Sequence, residues 1–292
     1  MVTTLILTYN AGQHFRALLG GLQNQTLKPE QIVIVDSGSA DHTRDIAGDY
    51  DCQIITIDRA DFDHGTTRNL AMSQVTSEFA VFLTQDVLPV DEHLLAELVK
   101  PMQADSNIAM CYGRQLPKSH ATALERFARE FNYPETSILK TRKDIQTMGL
   151  KTFFCSNSCS VIRRSIFNEL GGFKNDVRVN EDMHFAAKAI LRNYSVYYSA
   201  TAKVYHSHSF SWLQTFRRYY SIGRFLAENQ WILDGAGLKQ YGGGMLRAGV
   251  RTFWQRRMPH YVAAFLLEFA VKAVAYELGR YYQRLFYKRT RS

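Results

Sequence analysis

The sequence predicts an α/β fold with a helical C-terminal extension. Short, wholly apolar strands alternate with amphipathic helices in the first third of the chain, polar residues concentrate just past the strand ends, and no strand pattern recurs after residue 208. Strands of this kind, without inside–outside alternation, belong to a parallel sheet covered by helices on both faces. TTLILT is the first strand, and His14 to Gln25 the first helix, with Phe15, Leu18, Leu19 and Leu22 on one face. QIVIVD is the second strand; the DSGSADHT loop leads from it into a short helix. CQIITI is the third, and Gly65 and Thr66 open a helix running through Asn69, Leu70, Met72 and Val75. FAVFLT is the fourth, and Asp91 suits the cap of a helix bearing Leu94, Leu95, Leu98 and Val99, with Glu92 in its first turn.

Beyond the strand Ile108–Gly113 the pattern loosens, and residues 115–152 read as a helix plus a long loop. CSVIRR is a strand, Asn180 caps a helix with Phe185, Ala186, Ala189 and Ile190 inward, and SVYYSA and AKVYHS read as two late strands. From Ser209 the chain is helical, with a glycine-rich break from Tyr241 to Met245 and a last helix from about Tyr261 to Tyr287. Glu268, Lys272 and Glu277 interrupt that helix, so it is expected to lie on a surface rather than to cross a membrane. The expected division is a catalytic domain over 1–208 and a helical extension over 209–292.

Composition narrows the function. The chain has 292 residues, 46% hydrophobic and 21% charged, with no low-complexity tract and no basic leader before the first strand. Cys52, Cys111, Cys155 and Cys159 form no metal-binding spacing, and reduced thiols are expected. The net charge of +8 divides into +11 for residues 203–292 and −3 for the rest. A near-neutral body with a basic tail points to an anionic partner, or simply to a solvated basic face. Binding of nucleic acid by that tail would leave the polar groups at the strand ends without a purpose.

Those polar groups carry the candidate chemistry. Phe82 to Pro89, FLTQDVLP, is an apolar strand whose first polar residues past Thr84 are Gln85 and Asp86. Ligands of open α/β sheets sit beyond the carboxyl ends of the strands, so Asp86 is placed to meet a metal ion or a diphosphate. Thr8, Tyr9, Asn10, Asp36 and Ser37 end the first two strands on the same edge, where Asp36 could accept from a base or a ribose hydroxyl, whereas Asp41 suits a helix cap. There is no GxGxxG, so dinucleotide binding is not expected. RADFDHGTTRN supplies Asp63, His64 and, one turn into its helix, Arg68, suited to a bidentate phosphate contact. His206 and His208 alternate, so in a strand they share a face; Arg217, Arg218 and Arg224 follow on a helix, where they could clamp a diphosphate. Arg114, Gln115, Asn132 and Tyr133 suit sugar and acceptor contacts, and Ser156 and Asn157 suit the same pocket.

Taken together, TYN, DSGSADHT, RADFDHGTTRN, FLTQD, GRQLP, FNYP, FFCSN and NED resemble the inverting family-2 glycosyltransferases of GT-A fold. Within them the order is similar to bacterial rhamnosyltransferases that use dTDP-L-rhamnose. The resemblance spans roughly residues 3–225. It implies a GT-A, Rossmann-like, mixed and mostly parallel sheet, a dTDP-sugar donor, and Mg²⁺ or Mn²⁺ held by Asp86 with His206 and His208. It also implies a glycan or lipid-diphosphate-linked acceptor and Asp182 as general base, with Glu181 in support. Here the usual Asp-x-Asp is reduced to Gln85-Asp86. The donor set it implies is Thr8, Asn10, Asp36, Ser37, Asp63, His64, Arg68, Gln85, Asp86, Arg114, Asn157, Arg218 and Arg224. A UDP- or GDP-sugar is the alternative donor. With the basic tail, this reading places the protein in the cytoplasm, peripherally on the anionic inner face of the membrane, with homo-oligomerisation through the C-terminal helices as a further possibility.

Overall fold

In the computed structural model, which describes residues 1–208, 210–236 and 243–289, with side chains to residue 282, one sheet organises the chain. Its first part is β1 (Val2–Thr8), α1 (His14–Gln23), β2 (Gln31–Asp36), α2 (Thr43–Gly48), β3 (Gln53–Thr56), α3 (His64–Ser73) and β4 (Phe79–Thr84). Then come β5 (Leu88–Pro89), α4 (Leu94–Ala104), β6 (Ile108–Leu116), α5 (Ala123–Asn132), β7 (Ile138–Lys140), α6 (Ile145–Met148), β8 (Cys159–Arg163), α7 (Arg164–Glu169), α8 (Glu181–Leu191) and β9 (Ser195–Tyr205). The extension is α9 (Trp212–Glu228), α10 (Gln230–Ala236), α11 (Gly243–Gln255) and α12 (Pro259–Arg289). Ser209 and the Tyr241–Gly242 part of the glycine-rich break lie outside the described residues.

The strand order is β3-β2-β1-β4-β8-β6-β9-β5, with β7 also on β9. The first four strands pair in parallel, while β8 runs antiparallel to both β4 and β6, so the sheet is mixed as expected. Alternate residues of each strand feed two cores. Leu5, Val33 and Phe82 pack on one face with α3 and α8, and Ile6, Ile34 and Val81 on the other with α1 and α4. Burial of such side chains on both faces, about 1.5–3 kcal/mol each, explains why these strands show no polar alternation.

The structure departs from the sequence reading in three places that shape the site. The two late strands are one, because β9 continues through a bulge: Gly113 pairs with Ser199 but Arg114 with Lys203. Gly113 makes this possible, since a Cβ there would come within 2.7 Å of the Ala202 carbonyl and 2.9 Å of Cys159 Sγ. Asp91 does not cap α4 directly; its carboxylate accepts from the His93 amide, one turn before the helix. Asn180 precedes α8 in the left-handed conformation, φ +63°, and its side chain makes no capping bond.

The extension is docked on the body. Phe225, Leu226, Ile232 and Leu233 of α9 and α10 belong to the same core as β1 and α8. Phe253 of α11 and Phe265 of α12 pack against Phe127 of α5. α9 and α12 cross with their backbones in contact: a Cβ on Gly223 would lie 2.1 Å from the Tyr276 carbonyl, and one on Gly279 2.1 Å from that of Tyr220. Gly279→Val is therefore expected to force the helices apart and cost about 1–3 kcal/mol, as overpacking does. Thermal melting checks this against Val274→Thr at an exposed position of the same helix. Equal midpoints for the two variants would mean that α12 is not seated on α9.

Candidate active site

β1 lies between β2 and β4, so the direction of the connections reverses there and opens a crevice at the carboxyl ends of β1 and β4. Gln85 spans it. Its Oε1 accepts from the Tyr9 amide at 2.8 Å and its Nε2 donates to the Tyr9 carbonyl at 3.1 Å. With both ends of its amide spent on backbone, Gln85 holds the crevice together rather than facing a ligand as expected.

The next residue, Asp86, is placed by strand register. β5 pairs antiparallel with the end of β9, Leu88 opposite Tyr205, so the chain just before β5 runs beside the chain just after β9. His206 and His208 lie past the end of that strand, yet both converge. Each Nε2 stands 3.3 Å from Asp86 Oδ2, and the two stand 2.8 Å from one another. Burial would raise the Asp86 carboxyl, but the His206 hydrogen bond and the two imidazoles hold it well below the usual range. Burial pushes the imidazoles the other way: His206 falls, and His208 falls to about 4, so both are neutral near pH 7. His206 Nδ1 donates to Gln115 Oε1 at 2.8 Å, an oxygen that also receives Arg129, and this leaves the Nε2 lone pair for the cluster. Ligands on adjacent vertices about 2.1 Å from a common ion stand about 3 Å apart. One carboxylate and two neutral imidazoles at that spacing fit a divalent cation, and among the described residues no other group of three His, Cys, Asp or Glu side chains does.

A second carboxylate centre lies at the start of α8. Glu181 is buried and paired with Arg68 of α3 at 2.9 Å, and it accepts from Asn157 Nδ2 at 3.1 Å. Arg68 also donates to His64 Nδ1 at 3.0 Å. Its charge is thus paired inside the protein, which corrects the expectation of a phosphate contact. Asp182 keeps part of its surface open; its oxygens accept from the backbone amides of Asn157, at 3.2 Å, and Met183. Asp182 sits in the first turn of α8, where the helix dipole favours ionisation, yet burial, and then the charge of Glu181, push it up to about 7. Glu181 goes down instead: burial opposes its ionisation, and Arg68 overrides that. The two centres are joined through Gln115, whose Nε2 donates to Ser156 Oγ at 2.9 Å, next in sequence to the Asn157 amide that holds Asp182.

The remaining candidates divide. Asp36 is fully buried, with Thr8 Oγ1 on one oxygen at 2.9 Å and Ser39 bonded to both, so it braces the loop rather than presenting a carboxylate. Ser37 donates to the Thr8 carbonyl. Asn10, at φ +46°, accepts from the Ala40 amide and ties the same two loops. Asp63 is the side-chain cap of α3, accepting from Gly65 and Thr66. His64 is lowered to about 4 by burial and by Arg68. Arg114 pairs with Glu135, and its Nε is buried without a partner. Arg218 lies with its guanidinium 5.7 Å from the Phe210 ring centre, and that ring stacks on His208. Arg224 does not join the site and instead pairs with Glu228, its guanidinium over Tyr282 of α12.

Three residues escaped the sequence reading. Arg129 reaches Gln115, Glu125 accepts from the His208 amide at 2.7 Å, and Lys118 donates to the Asp86 carbonyl at 2.9 Å. Glu125 lies three residues after Thr122, which caps α5, so its local pattern is that of an ordinary helix start. Arg59 lies with its guanidinium 3.9 Å from the Tyr9 ring centre.

Comparison with known proteins finds relatives over most of the chain. Residues 3–171 match the profile of glycosyl transferase family 2. The chain is 39% identical over 286 residues to the O-antigen chain rhamnosyltransferase WbaN of Salmonella anatum, covering 97% of this chain and 90% of that one. It is likewise 39% identical over 287 residues to RfbN, the O-antigen chain rhamnosyltransferase of Salmonella typhimurium, covering 97% and 91%. A mannosyltransferase of Pyrobaculum calidifontis, solved with GDP-Man and Mn²⁺, superposes with a TM-score of 0.63 at 17% identity, over 94% of this chain and 86% of that one. At that identity the likeness establishes the fold alone.

The candidate cation site of Asp86, His206 and His208 makes a direct prediction. An ion that binds the folded state raises the thermal midpoint by mass action, so Mn²⁺ is expected to stabilise the protein. Asp86→Ala and His206→Ala are each expected to abolish the rise. Equal rises in all three proteins would put the ion elsewhere.

Proposed function

The chain belongs to glycosyl transferase family 2, and from that premise we propose that it transfers L-rhamnose from dTDP-L-rhamnose to the saccharide of a lipid-diphosphate-linked, O-antigen-type acceptor. The observation that carries the reading is the pair of carboxylate centres linked through Gln115, an anionic Asp86 between two neutral imidazoles and a partly open Asp182 tuned near neutrality. Likeness to two rhamnosyltransferases over nearly the whole chain supports the sugar.

Asp86, His206 and His208 would hold the cation, and two imidazoles in the set favour Mn²⁺ over the more oxygen-demanding Mg²⁺. When bound, such an ion neutralises the charge that develops on a departing diphosphate. Arg218, its guanidinium against the Phe210 ring that stacks on His208, would add a fixed positive charge. Asp182 takes the proton from the acceptor hydroxyl, and the freed oxygen attacks the anomeric carbon. The bond from that carbon to the diphosphate oxygen breaks on the opposite face, its electron pair leaving with the diphosphate, so the configuration inverts. Glu181 and Arg68 do not touch the reacting atoms; they set the proton affinity of Asp182. Tyr9 under Arg59, beside Ser37, offers an aromatic surface for the nucleobase.

A thermal-shift panel of dTDP-, UDP- and GDP-sugars with Mn²⁺ tests the donor. The largest shift is expected with dTDP-L-rhamnose, and a larger one with a UDP- or GDP-sugar would reassign it. Asp182→Asn is expected to lower turnover about 10²-fold or more with donor affinity nearly unchanged. Because Asp182 must be deprotonated to act, activity should rise with pH through a limb near 7. Glu181→Gln removes the adjacent negative charge and is expected to shift that limb to lower pH. A limb that stays in place in the Glu181 variant would show that Glu181 does not tune the base.

A further inference from the structure

The surface formed by α11 and the start of α12 plays no part in the chemistry above. From Gly243 to Leu267 the sequence holds four arginines and no Asp or Glu. Arg256 pairs with Glu130, whereas Arg247, Arg251 and Arg257 have no ion-pair partner among the described residues. Arg247 and Arg251 stand one turn apart on α11 and line a shallow apolar hollow with Leu246, Val250, Trp254 and Leu266. Trp254 is 71% exposed, and Leu266 and Leu267 continue the apolar surface onto α12. The face is held rigidly, because Phe253 and Phe265 on the inner sides of the same helices are locked against Phe127.

We infer that this face docks the protein on an anionic phospholipid bilayer, Trp254 and the leucines entering the headgroup boundary and Arg247 and Arg251 meeting lipid phosphates. Charge selects this occupant over a second copy of the chain. A two-fold contact would set these arginines, with no acidic residue between Gly243 and Leu267, against their own images. Apolar surface selects it over nucleic acid, since leucines and an exposed tryptophan beside arginines are the chemistry of the bilayer interface. No helix among the described residues is long and apolar enough to cross a membrane, so the contact is peripheral. α5, the helix on which α11 and α12 rest, also carries Arg129, which bonds Gln115, and Glu125, which accepts from the His208 amide. The inference is independent of which sugar is transferred.

Sedimentation of the full chain with vesicles tests it. Binding is expected to phosphatidylglycerol-containing vesicles, not to pure phosphatidylcholine, and is expected to weaken in high salt. The double variant R247E/R251E should lower the partition coefficient at least about tenfold, since each basic residue near an anionic leaflet adds appreciable attraction. W254S should lower it severalfold, and both variants should melt like the natural chain because the altered side chains are exposed. Absence of vesicle binding, or equal binding by R247E/R251E, overturns the inference. So does a dimer in light scattering that W254S dissolves, or binding to random duplex DNA that exceeds binding to vesicles and is lost in R247E/R251E.

Discussion

The buried ion pair between Arg68 and Glu181 is the constraint on which the catalytic half of the molecule rests. It joins α3, from the parallel half of the sheet, to α8, which follows the antiparallel strands, and both side chains are over nine-tenths buried. A pair of this kind adds little net stability, but loss of either partner strands a charge in the interior at a cost of about 3–5 kcal/mol. The neighbours show how it is satisfied. Asn157 donates to Glu181, and His64 accepts from Arg68. Glu181 is thereby kept ionised directly beside Asp182, and its charge helps to carry that carboxyl toward neutrality. One structural interaction thus has a chemical effect on its neighbour.

Gln115 has the corresponding role for the other centre. Its carbonyl oxygen, shared by Arg129 and His206, fixes the imidazole tautomer, while its amide nitrogen reaches Ser156. A single side chain therefore orients His206 and the loop whose Asn157 amide holds Asp182. Asp86, in turn, owes its place to two residues of β-pairing, Leu88 and Pro89 on the end of β9. The bulge over Gly113 sets where that end falls.

Much of this could be read from sequence because it is local. An apolar strand ending in polar residues announced Asp86, and two histidines one residue apart announced a shared face, although the strand stops at Tyr205. What could not be read was direction and partnership. Asp36, Asp63, Gln85 and Arg68 are polar residues at the crevice, but each is turned to the protein's own backbone or to a buried countercharge. Nothing local in their sequence separates a carboxylate facing a ligand from one bracing a loop. The contact between Gln115 and His206 spans 91 positions, and the raised Asp182 depends on burial, which composition does not report. The late strands read as two because Ala200–Ala202 form a bulge, and a bulge breaks the period without ending the strand.

The glycine crossing of α9 and α12 also has a mechanical meaning. Helices that meet backbone to backbone have no side-chain cushion to absorb displacement, so they move as one stiff beam. α9 sets Arg218 against Phe210, the ring stacked on His208, at one end and feeds the main core through Phe225 and Leu226 at the other. A displacement of α12 is therefore felt by α9 and, through Phe225 and Leu226, by the main core. The extension is part of the packed body, not a tether that swings beside it.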